Sequence, residues 1–351
     1  MEYTLLILGC ISFIVSFLVP YLTLPKLIRK LKAIGMTGKD INKPDKLEVA
    51  EMGGLAVVIG LCGGILVFTG TIAYVNEIFG ISLINTIDIT DGKILTLIFA
   101  ALSVILIIAI IGIFDDLFDL KHSTKAILPV FAALPLVAIA SVGSPTINIP
   151  FIGEINFGIF YALILVPVAI TVCSNMTNML AGFNGMEAGM GITMSLSLAI
   201  IALFIGTPEG LIAFILLISL AGALLGFLKY NWFPAKVFPG DVGNLTIGAV
   251  IATAIIIGNF ESYGVIVMLP FIIEFFVKLI NKLPTKNWQG KYIGGKLYPF
   301  NEKPISFAQW LMYLSKGISE KNLTLTFIGI ELIFCIIAIL IFFIPKFTYF
   351  T

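Results

Sequence analysis

Stretches of about twenty apolar residues recur from one end of this chain to the other, and nothing else in it limits the fold so strongly. A helix needs roughly 20 such residues to cross a hydrocarbon core, and in lipid only helices and closed barrels satisfy their own backbone. The runs are continuous, as in LTLIFAALSVILIIAIIGIF over 95–114, whereas barrel strands alternate. Hydrophobic residues make up 59% of the 351 and charged ones 12%, against about 25% charged in soluble domains. A soluble globular protein is excluded.

The sequence therefore predicts an all-α polytopic membrane protein, a single integral domain over 1–351. About ten transmembrane helices fit, near 4–25, 54–74, 94–114, 126–142, 158–174, 188–206, 210–228, 243–258, 263–283 and 324–345. The first run has no basic stretch before it and no small-residue cleavage site after it, so it reads as a retained span. Over 146–157, Ile147, Ile149, Ile152 and Ile155 alternate around Pro150 and Gly153, which predicts a small outer β-hairpin. Residues 305–318 carry apolar positions at helical spacing, the pattern of an interfacial helix. Cys10, Cys62, Cys173 and Cys335 have no disulfide or metal spacing and read as packing residues.

Basic residues set the orientation. With both termini outside, nineteen of the 21 fall in 26–46, 121–125, 229–236 and 278–321, leaving only Lys93 and Lys346 outside. The polar motifs fall on the same side, in loops near 26–53, 115–125, 175–187, 229–242 and 284–322. A transporter more often gathers its binding groups at the midplane on broken helices. Polar groups on one face suit an enzyme that takes a soluble cytosolic substrate, and predict a multi-pass protein of the cell membrane with a cytosolic active site.

Three clusters carry chemistry. Asp115-Asp116-Leu117-Phe118-Asp119 is followed by Lys121 and Lys125; Asp115 and Asp119, four apart, share a helix face. Such carboxylates either end a span in solvent or handle phosphate and a cation. Between spans five and six stands SNMTNMLAGFNGMEAG over 174–189, whose asparagines offer neutral donors and acceptors. Asn-Gly alone marks a turn; so long a run of Asn and Gly indicates more. Third is Phe238-Pro239-Gly240-Asp241-Val242-Gly243-Asn244, where Asp241 is either a helix cap or a Mg²⁺ ligand, since Mg²⁺ takes one or two carboxylates and leaves other positions to substrate phosphates. GKDINK over 38–43, Glu51-Met52-Gly53-Gly54, and PTKNWQGKYIGGKLYPFNEKP over 284–304 complete the face. Within the last stretch Lys296, after Gly294-Gly295, is the candidate. Glu274 and Glu331 lie close to helix ends and are left outside the site.

In this order and topology, D-D-x-x-D with a following lysine, N-x-x-A-G-x-N-G-x-E-x-G and F-x-G-D resemble the polyprenyl-phosphate N-acetylhexosamine-1-phosphate transferases, and the resemblance covers nearly the whole chain. Ala181 and Asn184 stand where bacterial members usually read D-G-x-D-G, and the single histidine, His122, lies outside the last large loop, where those members carry a histidine-rich motif. The chain is thus closest to the eukaryotic and archaeal branch, which uses UDP-GlcNAc and dolichyl phosphate. That branch has an arginine where Lys296 stands here; lysine keeps the charge and loses the bidentate fork.

The resemblance implies a Mg²⁺-dependent enzyme that transfers N-acetylglucosamine-1-phosphate from UDP-GlcNAc to a polyprenyl phosphate. The products are UMP and polyprenyl-diphosphate-GlcNAc, the first membrane step of N-glycan assembly. It also implies roles: Asp241 and Asn178 on Mg²⁺ and the UDP diphosphate, Asn184 on the uracil edge, Phe238 stacked on the ring, and Glu51 on the nucleotide sugar. Lys125 and Lys296 would neutralise phosphate charge, and Asp115 and Asp116 would lie near the lipid phosphate. Another UDP-N-acetylhexosamine, or undecaprenyl phosphate, is the alternative within the family; a transporter of nucleotide sugars or anionic lipids is the alternative outside it. No nucleic-acid partner is expected, and a homodimer is left open.

Overall fold

A computed structural model describes residues 2–79, 92–139, 143–149, 153–284, 286–300 and 302–344. The chain runs through α1 (Glu2–Ala33), β1 (Thr37–Lys39), β2 (Glu48–Ala50), α2 (Gly54–Phe79), α3 (Gly92–Phe118), α4 (His122–Ile127), α5 (Pro129–Ala132) and α6 (Leu134–Val137). It continues through β3 (Thr146–Ile149), β4 (Gly153–Asn156), α7 (Val166–Met179), α8 (Met186–Ile205), α9 (Pro208–Asn231), α10 (Gly240–Gly258), α11 (Glu261–Val267) and α12 (Leu269–Ile280). Last come β5 (Gly290–Ile293), β6 (Lys296–Pro299), α13 (Phe307–Leu314) and α14 (Glu320–Phe343).

Among the described residues eight helices are long and apolar enough to cross a membrane, or nine if α11 and α12, bent by 62° at Met268, count as one. The expected tenth, at 126–142, is instead three short helices, α4 to α6. Pro129 and Pro135 stand near the starts of the second and third pieces; each lacks the N–H that would continue the ladder. Residues 140–142 lie outside the described set.

The packing is layered around α10, which is 94% buried, and α9, 83% buried; α1 and α14 form the rim at 28% and 22%. Small residues make α10 central, because close helix contact in an apolar medium depends on them. A Cβ at Gly248 would lie 2.2 Å from the carbonyl oxygen of Cys173 in α7, and one at Gly112 of α3 would lie 2.4 Å from Cα of Val242. The approach at Gly112 brings the end of α3 to the start of α10, and the approach at Gly248 packs α7 against its middle.

Among the described residues every sheet is two-stranded. Ile147 of β3 stands opposite Ile155 of β4 in an antiparallel pair, with 150–152 outside the described residues. The β1–β2 and β5–β6 pairs lie in stretches that the sequence predicts as loops. β5 and β6 turn tightly through Gly294 and Gly295, both at positive φ. The predicted interfacial helix is α13, capped by the Ser306 side chain, which accepts from the Gln309 N–H. It buries Ala308, Gln309 and Met312 and exposes Trp310, Tyr313 and Leu314.

Candidate active site

The polar motifs meet at one end of the bundle. Asp115 and Asp116 lie in the last turn of α3, not beyond it. Asp119 does not share their face: it takes a left-handed conformation, donates its N–H to the Asp115 carbonyl and is exposed. The helix ends there, so the i, i+4 relation expected from spacing fails.

Asp115 is buried. Its Oδ1 accepts the N–H of Leu120 at 3.0 Å, which folds the chain back toward α4. That turn delivers Lys125, whose Nζ lies 2.9 Å from Asp115 Oδ2 and 3.3 Å from Asp241 Oδ2. Burial works against the Lys125 charge, but Asp241 and Asp115 outweigh it and raise its pKa above the ordinary lysine value. Lys125 remains a fixed cation between two carboxylates.

Asp116 has a different task. Its two oxygens accept the N–H groups of Asp241, at 2.7 Å, and Val242, at 3.1 Å. A helix start leaves such donors without intrahelical partners, and negative charge is favoured there. Asp116 thus caps α10 from α3 and sets the position of Asp241.

Glu51 and Phe238 come together through backbone pairing. Ala50 bridges Val237, Phe238 donates to the Ala50 carbonyl at 2.8 Å, and Gly53 donates to that of Phe238 at 2.9 Å. A Cβ at Gly38 would lie 3.1 Å from Glu51 Oε2 and 3.3 Å from the Phe238 ring. Burial raises the Glu51 pKa above its ordinary value.

Between these elements lies a cavity of about 340 Å³. Of the residues predicted from sequence, Glu51, Asn178, Asn184, Phe238 and Asp241 line it. Asp115, Asp116 and Lys125 stand beside it, joined to Asp241 by the bonds above. Lys296 is not brought in: it is exposed at the β5–β6 turn, opposite Ile293. The same loop contributes Trp288 and Gln289 to the cavity instead. Lys278 holds Trp288, its Nζ 4.5 Å from the ring centre and 2.7 Å from Glu274. Glu274 also accepts the Phe307 N–H at 2.6 Å, so it ties α12 to α13. Glu331 is buried in α14 beside Cys335, apart from the cavity lining.

Sequence reasoning missed Asp40, Asn42, Glu187, Asn231 and Asn244, all of which line the cavity. A signal existed for Asn244: it stands three residues after Asp241, one turn along the same helix face. Its Nδ2 donates to Asn178 Oδ1 at 3.2 Å, while its own Oδ1 is buried with no hydrogen-bond partner. No three His, Cys, Asp or Glu among the described residues are grouped to hold a metal ion. Oxygen donors are nevertheless present in the Asp241 carboxylate and the amides of Asn178 and Asn244. Such hard ligands, few in number, fit Mg²⁺ with its remaining positions left to phosphate and water.

The sequence pattern of the family described as Glycosyl transferase family 4 matches residues 95–259, the stretch that holds all three clusters. A Saccharolobus solfataricus protein, provisionally named a UDP-N-acetylglucosamine–dolichyl-phosphate N-acetylglucosaminephosphotransferase, is 37% identical over 331 residues, 93% of this chain and 95% of that relative. The protein of that name in Schizosaccharomyces pombe is 32% identical over 69% of this chain and 60% of its own length. A phospho-N-acetylmuramoyl-pentapeptide-transferase of Clostridium botulinum is 32% identical over 65% of this chain and 69% of its own. The archaeal likeness extends through every span and loop that builds the cavity, and by it the chain belongs to glycosyl transferase family 4.

Proposed function

We propose that the protein transfers N-acetylglucosamine-1-phosphate from UDP-GlcNAc to a dolichyl-type polyprenyl phosphate, giving UMP and polyprenyl-diphosphate-GlcNAc. The observation that carries the reading is Lys125 set between Asp115 and Asp241 beside a cavity lined by Asn178, Asn184 and Phe238. The names of the archaeal and eukaryotic relatives support the same substrates.

Phe238 and Asn184 hold the uracil ring, by stacking and at its edge; Glu51 lies toward the sugar. Asp241 and Asn178, with Asn244, hold Mg²⁺, which when bound neutralises diphosphate charge. An oxygen of the lipid phosphate attacks the phosphorus bearing the sugar, and the bond to the UMP oxygen breaks in line. Such transfers depend on positioning and charge neutralisation. A phosphate monoester has its second pKa near 6, so the nucleophile is already largely ionised at neutral pH. Asp115 orients it and takes any remaining proton, and Lys125 offsets the repulsion between two anionic substrates.

The lysine distribution supports a cytosolic site in the cell membrane, with the β3–β4 pair on the outer side. The test is to supply purified protein with several UDP-sugars, polyprenyl phosphates and Mg²⁺, and identify the products by mass. UMP and a lipid-diphosphate sugar are expected, and are lost with chelator. Release of UDP with a lipid-monophosphate sugar would refute the reaction type.

A further inference from the structure

Behind one wall of the cavity lies a charge network that the reaction above does not use. Lys43 Nζ lies 2.6 Å from Asp40 Oδ2 and 2.6 Å from Glu320 Oε2. Asp40 and Glu320 are each only 5% exposed. Both carboxylates hold Asn184. Asp40 Oδ2 accepts from its side-chain Nδ2 at 3.1 Å, and Glu320 Oε1 accepts from its backbone N–H at 2.9 Å. Thr324 Oγ1 donates to the Asn184 carbonyl at 3.1 Å. The network ties three distant segments to one side chain: the β1–β2 connection, the turn before α8, and the first turns of α14.

We propose that Asp40, Lys43 and Glu320 are positioning residues that fix which way round the Asn184 amide meets the nucleobase, and so select uracil over cytosine. The inference rests on the reading of Asn184 as the residue at the base edge. An amide has one accepting and one donating end, whereas an ionised carboxylate only accepts. Asp40 is ion-paired with Lys43, and the NH₂ of Asn184 faces it. The reversed amide would set two acceptors against each other in a buried place, where an unmade hydrogen bond is costly. The Asn184 side-chain oxygen, Oδ1, accepts no hydrogen bond among the described residues, and Asn184 lines the cavity. An acceptor is therefore what Asn184 presents to a ligand. Uracil offers N–H at N3; cytosine offers a bare nitrogen acceptor there. A site built to pair with a donor rejects a ligand that lacks it, because its own buried group is left unpaired.

Glu320 acts one step further back. It anchors Lys43 from the other side, and through the Asn184 N–H it fixes the backbone from which the amide projects. Asp40→Asn removes the constraint, since an amide at position 40 can accept or donate and lets Asn184 turn over. Lys43→Met sets two carboxylates against each other. Asp40 then loses the ion pair that holds it in place against the Asn184 amide, and the amide can turn over.

The experiment is equilibrium binding of UMP and of CMP, with Mg²⁺, to the full-length protein in detergent. The wild type is expected to favour UMP by about 100-fold or more, the scale on which hydrogen-bonding sites reject mismatched ligands. In Asp40→Asn the UMP-to-CMP ratio should fall tenfold or more, with CMP binding gained in absolute terms. Lys43→Met should lower it by a smaller factor, and Lys43→Arg should restore it. Equal weakening of both nucleotides in Asp40→Asn would make the network merely structural and overturn the inference; so would a failure of both Asp40→Asn and Lys43→Met to fold. A wild type that does not distinguish UMP from CMP would instead refute the uracil reading beneath it.

Discussion

Asp116 Oδ1 accepts the backbone N–H of Asp241 at 2.7 Å, so the carboxylate ending one span fixes the first turn of another. Losing a helix cap costs about 1–2 kcal/mol. Asp116→Ala should therefore lower the melting temperature and slow turnover together, because Asp241 moves with its helix. Asp241→Asn should lower turnover by orders of magnitude with little change in melting, since it weakens the proposed Mg²⁺ ligand and leaves the cap intact. Melting curves and UMP release measured on the same samples separate the two. An Asp116→Ala protein with wild-type melting would refute the capping role.

Glu51 gives a pH dependence whose sign follows from burial. Its folded pKa is raised above the ordinary 4.5, so between the two values the folded chain binds more protons than the unfolded one. Stability then falls as pH rises through that window and stays lowered above it. Glu51→Gln does not titrate and escapes the penalty. The substrate-free variant should melt higher than wild type at neutral pH, the gap should close below pH 4.5, and turnover should drop. A gap independent of pH would assign the effect to packing.

Direct attack by the lipid phosphate requires both substrates together. Lipid-free enzyme should release no UMP from UDP-sugar above background hydrolysis, and should exchange no labelled UMP into it. A stoichiometric burst, abolished by Asp115→Asn or Asp116→Asn, would make that aspartate a covalent nucleophile.

Orientation is open to labelling. Single cysteines introduced as Lys39→Cys, Lys236→Cys and Lys291→Cys, each at an exposed position, in a cysteine-free background should react only from the cytosolic side. Reaction of Lys236→Cys from outside would contradict the one-face site.

Where a property is local, the sequence announced it. The apolar runs gave α3 and α8 to α10, and the Asn-Gly and Pro-Gly clusters marked cavity loops because those residues signal turns and close approach without reference to anything distant. What escaped depends on partners far along the chain. In sequence Asp116 reads as a neighbour of the lipid phosphate; its capping role requires α10, more than a hundred positions on. Asp40 and Glu320 meet through Lys43 and Asn184, and no periodicity records that. Lys296 stood out for the glycines before it, yet Gly294 and Gly295 serve the hairpin turn and carry the lysine away from the cavity, while Trp288 enters it. The 126–142 stretch is apolar enough to span, but hydropathy does not register the N–H groups that Pro129 and Pro135 lack.

The helix that carries Asp241 is enclosed by protein along 94% of its span, whereas α1 and α14 are mostly uncovered. Hydrophobic mismatch acts on helices that touch lipid, which answer a thicker or thinner bilayer by tilting. Here that adjustment falls on the rim, and α10 is shielded from it. The end of the molecule that carries the candidate site is thereby uncoupled from membrane thickness, so turnover should change little across lipids of different chain length even where the outer helices reorient.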